Sequence, residues 1–273
     1  MRTSQIPATN VVMKITLRLV AAAAAAVFIG VPAAQAVIGG SPDGNAHPYV
    51  GLSAFFDSNG NFLWRCSGFL TSPTVYVTAA HCAGAEAPGA PQPAFAAIWF
   101  NGTTPVSPSS QPDALGIPEP SPAWNGVLPD HDIGVVHIVQ PFTDLSKLGH
   151  ATLPPLGYLN GLTTKRGLQD TSFTAVGYGV VDMGPHGPVD NTLRMAGTVQ
   201  LQKLTDIDLQ TTASNGNGTG GGATCLGDSG GPLFNGGYVV ALVSAGQRFC
   251  NGKAIDFRLD TAEAQDFIAA AGS

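Results

Sequence analysis

Three short segments carry side chains that could act together on an acyl group: Thr78-Ala79-Ala80-His81-Cys82, Asp132-Ile133-Gly134-Val135 and Gly227-Asp228-Ser229-Gly230-Gly231-Pro232. A serine hydroxyl is a poor nucleophile at neutral pH. It becomes an effective one when an imidazole takes its proton and a carboxylate keeps that imidazole in the right tautomer. Glycines around Ser229 permit a tight turn whose N–H groups can face the oxyanion of a tetrahedral intermediate, and losing one such donor costs about 100- to 1000-fold in rate. The chemistry suggested is acyl transfer through a covalent serine intermediate.

Chain order decides between arrangements of this kind. Gly227-Asp228-Ser229-Gly230-Gly231 also fits the G-x-S-x-G elbow of α/β-hydrolases, but those enzymes place their acid and histidine after the serine. Here the last of the six histidines is His186, so none follows Ser229. An Asp-His-Ser order would need an acid ahead of His81, and the candidates Asp43 and Asp57 lie in no suitable motif. Asp130 stands two residues from Asp132, but only Asp132 precedes the apolar run Ile133-Gly134-Val135-Val136. The order His81, Asp132, Ser229 is what remains.

The elements that must position these residues read as strands. Short runs rich in Val, Ile, Phe and Tyr lie between Gly, Pro and Asn turns at Tyr49 to Phe56, Phe62 to Leu70, Val75 to Thr78, Phe95 to Phe100 and Gly134 to Val139. A second set follows at Phe173 to Tyr178, Leu193 to Leu201, Tyr238 to Ala245 and Ala254 to Leu259. Many short strands at this spacing make an all-β sandwich or barrel. The polar stretch from Pro141 to Leu162 reads as a connection between halves. Residues 101 to 129 carry seven prolines and read as a long surface loop, because proline at that density leaves no ladder of donors. From Asp260 to Ala270 a cap residue, an acidic first turn and good helix formers predict a short closing helix.

Composition sets the outer limits. The chain has 273 residues with 35 Gly, 21 Pro and a net charge of −6, and its charged residues make up only 11%. That describes a turn-rich β protein rather than a helical bundle, and an acidic surface excludes a nucleic-acid binder, whose affinity comes chiefly from Lys and Arg on phosphates. Arg2, Lys14 and Arg18 precede an uncharged apolar run from Leu19 that ends in Ala34-Gln35-Ala36, which has the three parts of a secretory signal. Residues 1–36 are therefore expected to be removed at export, from a start at Met1 or Met13, leaving no membrane anchor. Four cysteines in an oxidising compartment are most simply read as two disulfides.

With these motifs in hand, the chain resembles the chymotrypsin/trypsin family of secreted serine proteases over its whole mature length. Val37-Ile38-Gly39-Gly40 is similar to the family's mature amino terminus, Gly177-Tyr178-Gly179 to its Gly-aromatic-Gly turn, and Val243-Ser244-Ala245-Gly246 to its substrate-binding strand. The resemblance implies two six-stranded antiparallel β-barrels with a C-terminal helix: an N-terminal barrel over 37–150 with His81 and Asp132, a C-terminal barrel over 151–259 with Ser229, and the helix over 260–273. It implies that His81 is general base and acid, Asp132 its orienting carboxylate and Ser229 the nucleophile, with Gly227 and Ser229 as oxyanion-hole donors. Ser244 would bond Asp132 and, with Gly246, pair with the substrate backbone. The new amino terminus at Val37 would pair with Asp228, so that export itself activates the enzyme. Cys66 would bridge to Cys82 and Cys225 to Cys250, each worth roughly 3 to 4 kcal/mol by loop-closure entropy.

Substrate choice follows the same route. The implied pocket comprises Ala223 at its base, Thr224, Ser244, Gly246 and Ala254, and an alanine where trypsin-like members carry aspartate favours medium or large apolar side chains. Asp256 competes with this reading, since a small register shift would put its carboxylate at the pocket floor and favour basic residues. Ala245 replaces the family's tryptophan and removes an aromatic platform. No metal-binding spacing is present, so neither metal nor cofactor is expected. The expected partner is a protein or peptide substrate, met by a secreted monomer. Two alternatives share the fold: a silent binding or adhesion module, and an esterase using the same triad.

Overall fold

In the computed structural model, residues 37–85, 89–162, 171–213 and 222–273 are described; the candidate export signal at 1–36 lies outside the described residues. A two-residue strand β1 (Ser41–Pro42) leads into β2 (Val50–Phe56), β3 (Phe62–Ser72) and β4 (Val75–Thr78). A single helical turn α1 (Ala80–Ala83) follows, then β5 (Phe95–Trp99), β6 (Ala114–Pro120) and β7 (Gly134–Pro141). Strands β2 to β7 close into a barrel in the order β2-β3-β4-β7-β6-β5, every pair antiparallel.

The chain then forms β8 (Ser172–Gly177), a small hairpin of β9 (Asp182–Gly184) and β10 (Gly187–Val189), β11 (Met195–Leu204), β12 (Asp208–Ala213), β13 (Pro232–Asn235), β14 (Tyr238–Gly246) and β15 (Gly252–Arg258). These strands, the hairpin aside, are ordered β11-β12-β15-β14-β13-β8, and a further β8–β11 pairing closes them into the second barrel. β1 adds to the edge of β11. The closing helix α2 spans Ala262–Ala270, with the Thr261 hydroxyl accepting the Ala264 N–H. Closure removes the exposed edges that an open sheet of this size would present.

Packing follows the residue types. β4, Val75-Tyr76-Val77-Thr78, is buried at every position, and its β-branched residues suit a strand with both faces covered. Phe55, Phe69 and Ile98 join it in one core cluster, while Phe173, Leu201, Leu209 and Val240 form another in the second barrel. Where β3 passes β4, a Cβ on Gly68 would stand 2.3 Å from the Val77 carbonyl oxygen, so only glycine lets the strands meet there.

One buried group departs from this apolar rule. Arg194 has no exposed surface, and its Nε lies 2.8 Å from an Asp43 carboxylate that is also buried. Nη1 donates to the Val50 and Phe100 carbonyls at 2.9 and 3.1 Å, and Nη2 to that of Gly44 at 3.1 Å. Burial pushes the Asp43 carboxyl up, but hydrogen bonds from His47 and Arg194 outweigh it and hold it below the ordinary value.

The loop expected over 101–129 is corrected in part, because Ala114–Pro120 is β6. Its pairing explains how prolines are tolerated: β5 pairs only with Ala114 to Gly116, so Pro118 and Pro120 fall where that side of the strand has no partner to receive a donor. β12 and β13 are additional to the runs read from the sequence.

Candidate active site

Asp132 sits at the middle of a three-residue turn in which the Ile133 N–H donates to the His131 carbonyl at 2.8 Å, immediately before β7. Its carboxylate is fully buried. Oδ1 accepts the His81 backbone N–H at 2.9 Å, and Oδ2 lies 2.9 Å from His81 Nδ1. The Ser244 hydroxyl, on β14 of the other barrel, donates to Oδ2 at 2.5 Å. A carboxylate so placed keeps the proton on Nδ1 and the accepting lone pair on Nε2.

His81 is carried by α1, a helix too short to stand by its own hydrogen bonds. Cys82 ties it to β3 through a disulfide to Cys66 with the two Cα atoms 6.3 Å apart, and Trp64 Nε1 donates to the Cys82 carbonyl at 3.0 Å. Cys66, Cys82 and His81 form the one candidate metal cluster among the described residues, but the two sulfurs are bonded to each other and so are lost as ligands. Cys225 and Cys250 form the second disulfide.

Ser229 is held by the turn that contains it. Gly227 and Gly230 have φ of +93° and +76°, in the left-handed region. A Cβ on Gly230 would lie 2.2 Å from Thr78 Oγ1 and 2.5 Å from the Ser67 carbonyl oxygen, so the turn presses directly on the first barrel. Ser67, beside the Cys66 bridge, clasps it: its N–H donates to the Ser229 carbonyl and its Oγ to that of Gly227, both at 2.8 Å, while Oγ accepts the Tyr178 N–H at 2.9 Å. The N–H groups of Gly227 and Ser229 donate to no protein acceptor among the described residues, which leaves them able to meet an oxyanion.

Asp228 is almost fully buried, with Oδ1 accepting from Gly179 N–H at 2.8 Å and Oδ2 from Cys225 N–H at 2.9 Å. Burial raises its pKa to about 7 against the pull of these two amides and of the Arg65 charge. Val37 is fully buried in the core cluster of the second barrel, and Ile38 forms a two-way backbone pair with Ala223 at 2.8 and 2.9 Å. The Asp228 hydrogen bonds go to Gly179 and Cys225, not to Val37.

His81 and Ser229 line one cleft of about 230 Å³, together with Thr224, Ser244 and Gly246. Ala223 and Ala254 do not line it; they are buried in a cluster with Ile38 and the Cys225–Cys250 pair, whose two cysteines do line it. Leu128 and Leu226, which no sequence motif singled out, also line it and are 45% and 60% exposed, giving the mouth an apolar rim. Their signal was weak, since leucine in a Pro- or Gly-rich turn is ordinary.

Asp256 is placed elsewhere. It lies on β15 opposite Val243 of β14 and Leu209 of β12, has no exposed surface and does not line the cleft. Thr211 Oγ1 donates to its Oδ2 at 2.8 Å, while Oδ1 has no hydrogen-bond partner among the described residues. Burial raises the carboxyl to about 8, opposed by the Thr211 bond and reinforced by the charge of Asp208. The unfolded value is 3.8, so the stabilising neutral form is fully present below that pH and its contribution is lost as pH rises through about 8. Asp256→Asn is expected to raise stability at pH 8.5 by about 1–3 kcal/mol, the range for a buried polar group left unmatched, and to change little at pH 4. Urea midpoints at the two pH values check this; equal shifts at both would exclude titration of Asp256 as the cause.

The Trypsin family model matches residues 37–268. No curated protein sequence matches the chain. Among solved structures, HL collagenase superposes with a TM-score of 0.64 at 15% identity, covering 86% of this chain and 97% of its own. GrC superposes with a TM-score of 0.61 at 20% identity, covering 86% of this chain and 98% of its own. At these identities the two likenesses concern the fold, which is the paired-barrel fold of chymotrypsin-like serine proteases. With the family model spanning both barrels and most of the closing helix, the chain belongs to the trypsin family.

Proposed function

We propose that the protein is a secreted serine endopeptidase that cleaves after medium or large apolar residues through an acyl-enzyme. The observation that carries the proposal is the buried Asp132 carboxylate, which holds His81 by its backbone and by Nδ1 while accepting from Ser244. Ser229 Oγ attacks the scissile carbonyl as its proton passes to His81 Nε2. The carbonyl oxygen, now an anion, is met by the N–H groups of Gly227 and Ser229. The C–N bond breaks as His81 gives its proton to the leaving amine, and water, deprotonated by the same imidazole, then frees the acid and restores Ser229.

Leu226 and Leu128 at the mouth of the cleft, with Ala223 and Ala254 in the apolar cluster of the Cys225–Cys250 pair that lines it, favour an apolar side chain next to the cleaved bond. The burial of Asp256 outside the cleft lining weighs against basic residues. Activation is assigned to removal of residues 1–36: Asp228 is buried with no cationic side chain in ion-pair contact among the described residues, and a free amine on Val37, whose neighbour Ile38 pairs with Ala223, would supply one.

The test is to prepare residues 37–273 with Val37 at the amino terminus, label with a fluorophosphonate, and profile cleavage on a peptide library beside Ser229→Ala. Labelling that vanishes in the variant and cleavage after Phe or Leu are expected. Hydrolysis of esters but not peptides would make it an esterase, and no labelling of the folded chain would make it a binding module. A version with one extra residue before Val37 is expected to be inactive; full activity there would overturn export as the activating step.

A further inference from the structure

The turn that delivers Asp132 is held from a second direction. His131, directly before it, has φ +54°. A residue with a Cβ is rarely at rest in this left-handed region, and here its carbonyl closes the turn by accepting from Ile133. The His131 ring crosses to the far end of the sequence: Nδ1 meets Glu263 Oε1 at 2.5 Å, across 132 positions. Glu263 lies in the first turn of α2, and that helix is seated independently of the cleft. Thr261 caps it, Ala264 and Ile268 are buried in the main core, and Gln265 Nε2 donates to the carbonyls of Pro154 and Leu259 at 2.7 and 3.1 Å. Neither His131 nor Glu263 lines the cleft.

We infer that Glu263, acting through His131, is a positioning residue for Asp132, so that the carboxy-terminal helix braces the acid that orients His81. The inference rests on the catalytic reading above. Relaxing His131 toward negative φ would rotate the peptide planes on which Asp132 hangs, and the bonds of 2.5 Å to Ser244 and 2.9 Å to His81 tolerate little displacement. Tethering the His131 ring to a seated helix removes that freedom. Both partners are more than a third exposed, so the pair adds little to overall stability and its effect is on position.

Glu263→Ala tests this. Its kcat on a peptide substrate is expected to fall about 3- to 10-fold with KM unchanged, as for a slightly misplaced catalytic group. Glu263→Gln keeps an oxygen to accept the ring N–H and is expected to recover most of the loss. Without substrate, the downfield NMR resonance of the His81 Nδ1 proton is expected to shift and broaden in Glu263→Ala and to return in Glu263→Gln. An unchanged resonance with kcat within two-fold of the parent overturns the inference, as does a rise in KM that accounts for the whole loss. If the parent protein never labels with a fluorophosphonate, the catalytic reading has failed, while the resonance still decides whether Glu263 places Asp132.

Discussion

Asp132→Asn is expected to lower kcat about 10⁴-fold while leaving the protein folded. The carboxylate has only donors around it: the His81 backbone N–H, the His81 ring N–H and the Ser244 hydroxyl. An amide of the same shape must turn its NH₂ toward one of them. Facing Nδ1, it drives the imidazole into the tautomer with the proton on Nε2, and the imidazole can no longer receive the Ser229 proton. Facing the backbone N–H instead, it sets donor against donor at a position with no exposed surface. Steady-state kinetics with a matched thermal melt check the expectation. A loss below tenfold in a folded variant would mean that another group orients His81.

The largest expected effect on stability lies outside the cleft. Arg194→Ala is expected to destabilise the fold by about 3–5 kcal/mol, because removing one partner of a buried pair strands the other. Asp43 would keep a buried charge with His47 as its remaining side-chain partner, and the carbonyls of Val50, Phe100 and Gly44 would each lose a donor. Urea denaturation with a common m-value measures the loss. Arg194→Met combined with Asp43→Asn is expected to cost less than Arg194→Met alone, since it leaves no unpaired charge; a cost equal to the sum of the Arg194→Met and Asp43→Asn single variants would show that the two groups act separately.

The sequence made the chemistry legible because each chemical residue sits inside a short motif whose neighbours serve the same end. Gly230 shows this well: its missing side chain is required by Thr78 and Ser67, and its place in the Ser229 motif marks it in advance. Strands with apolar runs were equally plain. β12, Asp-Leu-Gln-Thr-Thr-Ala, was not, because Thr and Gln fill positions where an apolar alternation would announce a strand. β6 was hidden by prolines whose harmlessness depends on where a neighbouring strand stops. The depth of Arg194 and of Asp256 has no local signal at all, since charged residues in or beside strands read as surface until their partners are placed from distant parts of the chain. His131 reads as one more polar loop residue until α2 is laid beside it.

The clasp made by Ser67 has a consequence for the cell that makes this protein. The turn bearing Ser229 belongs to the second half of the chain, yet its carbonyls at Gly227 and Ser229 are held by a serine from the first half. Ser244, another late residue, completes the surroundings of Asp132, an early one. On the proposed reading, a growing or unfolded chain therefore has no assembled catalytic site, however much of one barrel has formed. The division of labour between the two halves delays the hazard until nearly all of the chain has been made and both barrels have met.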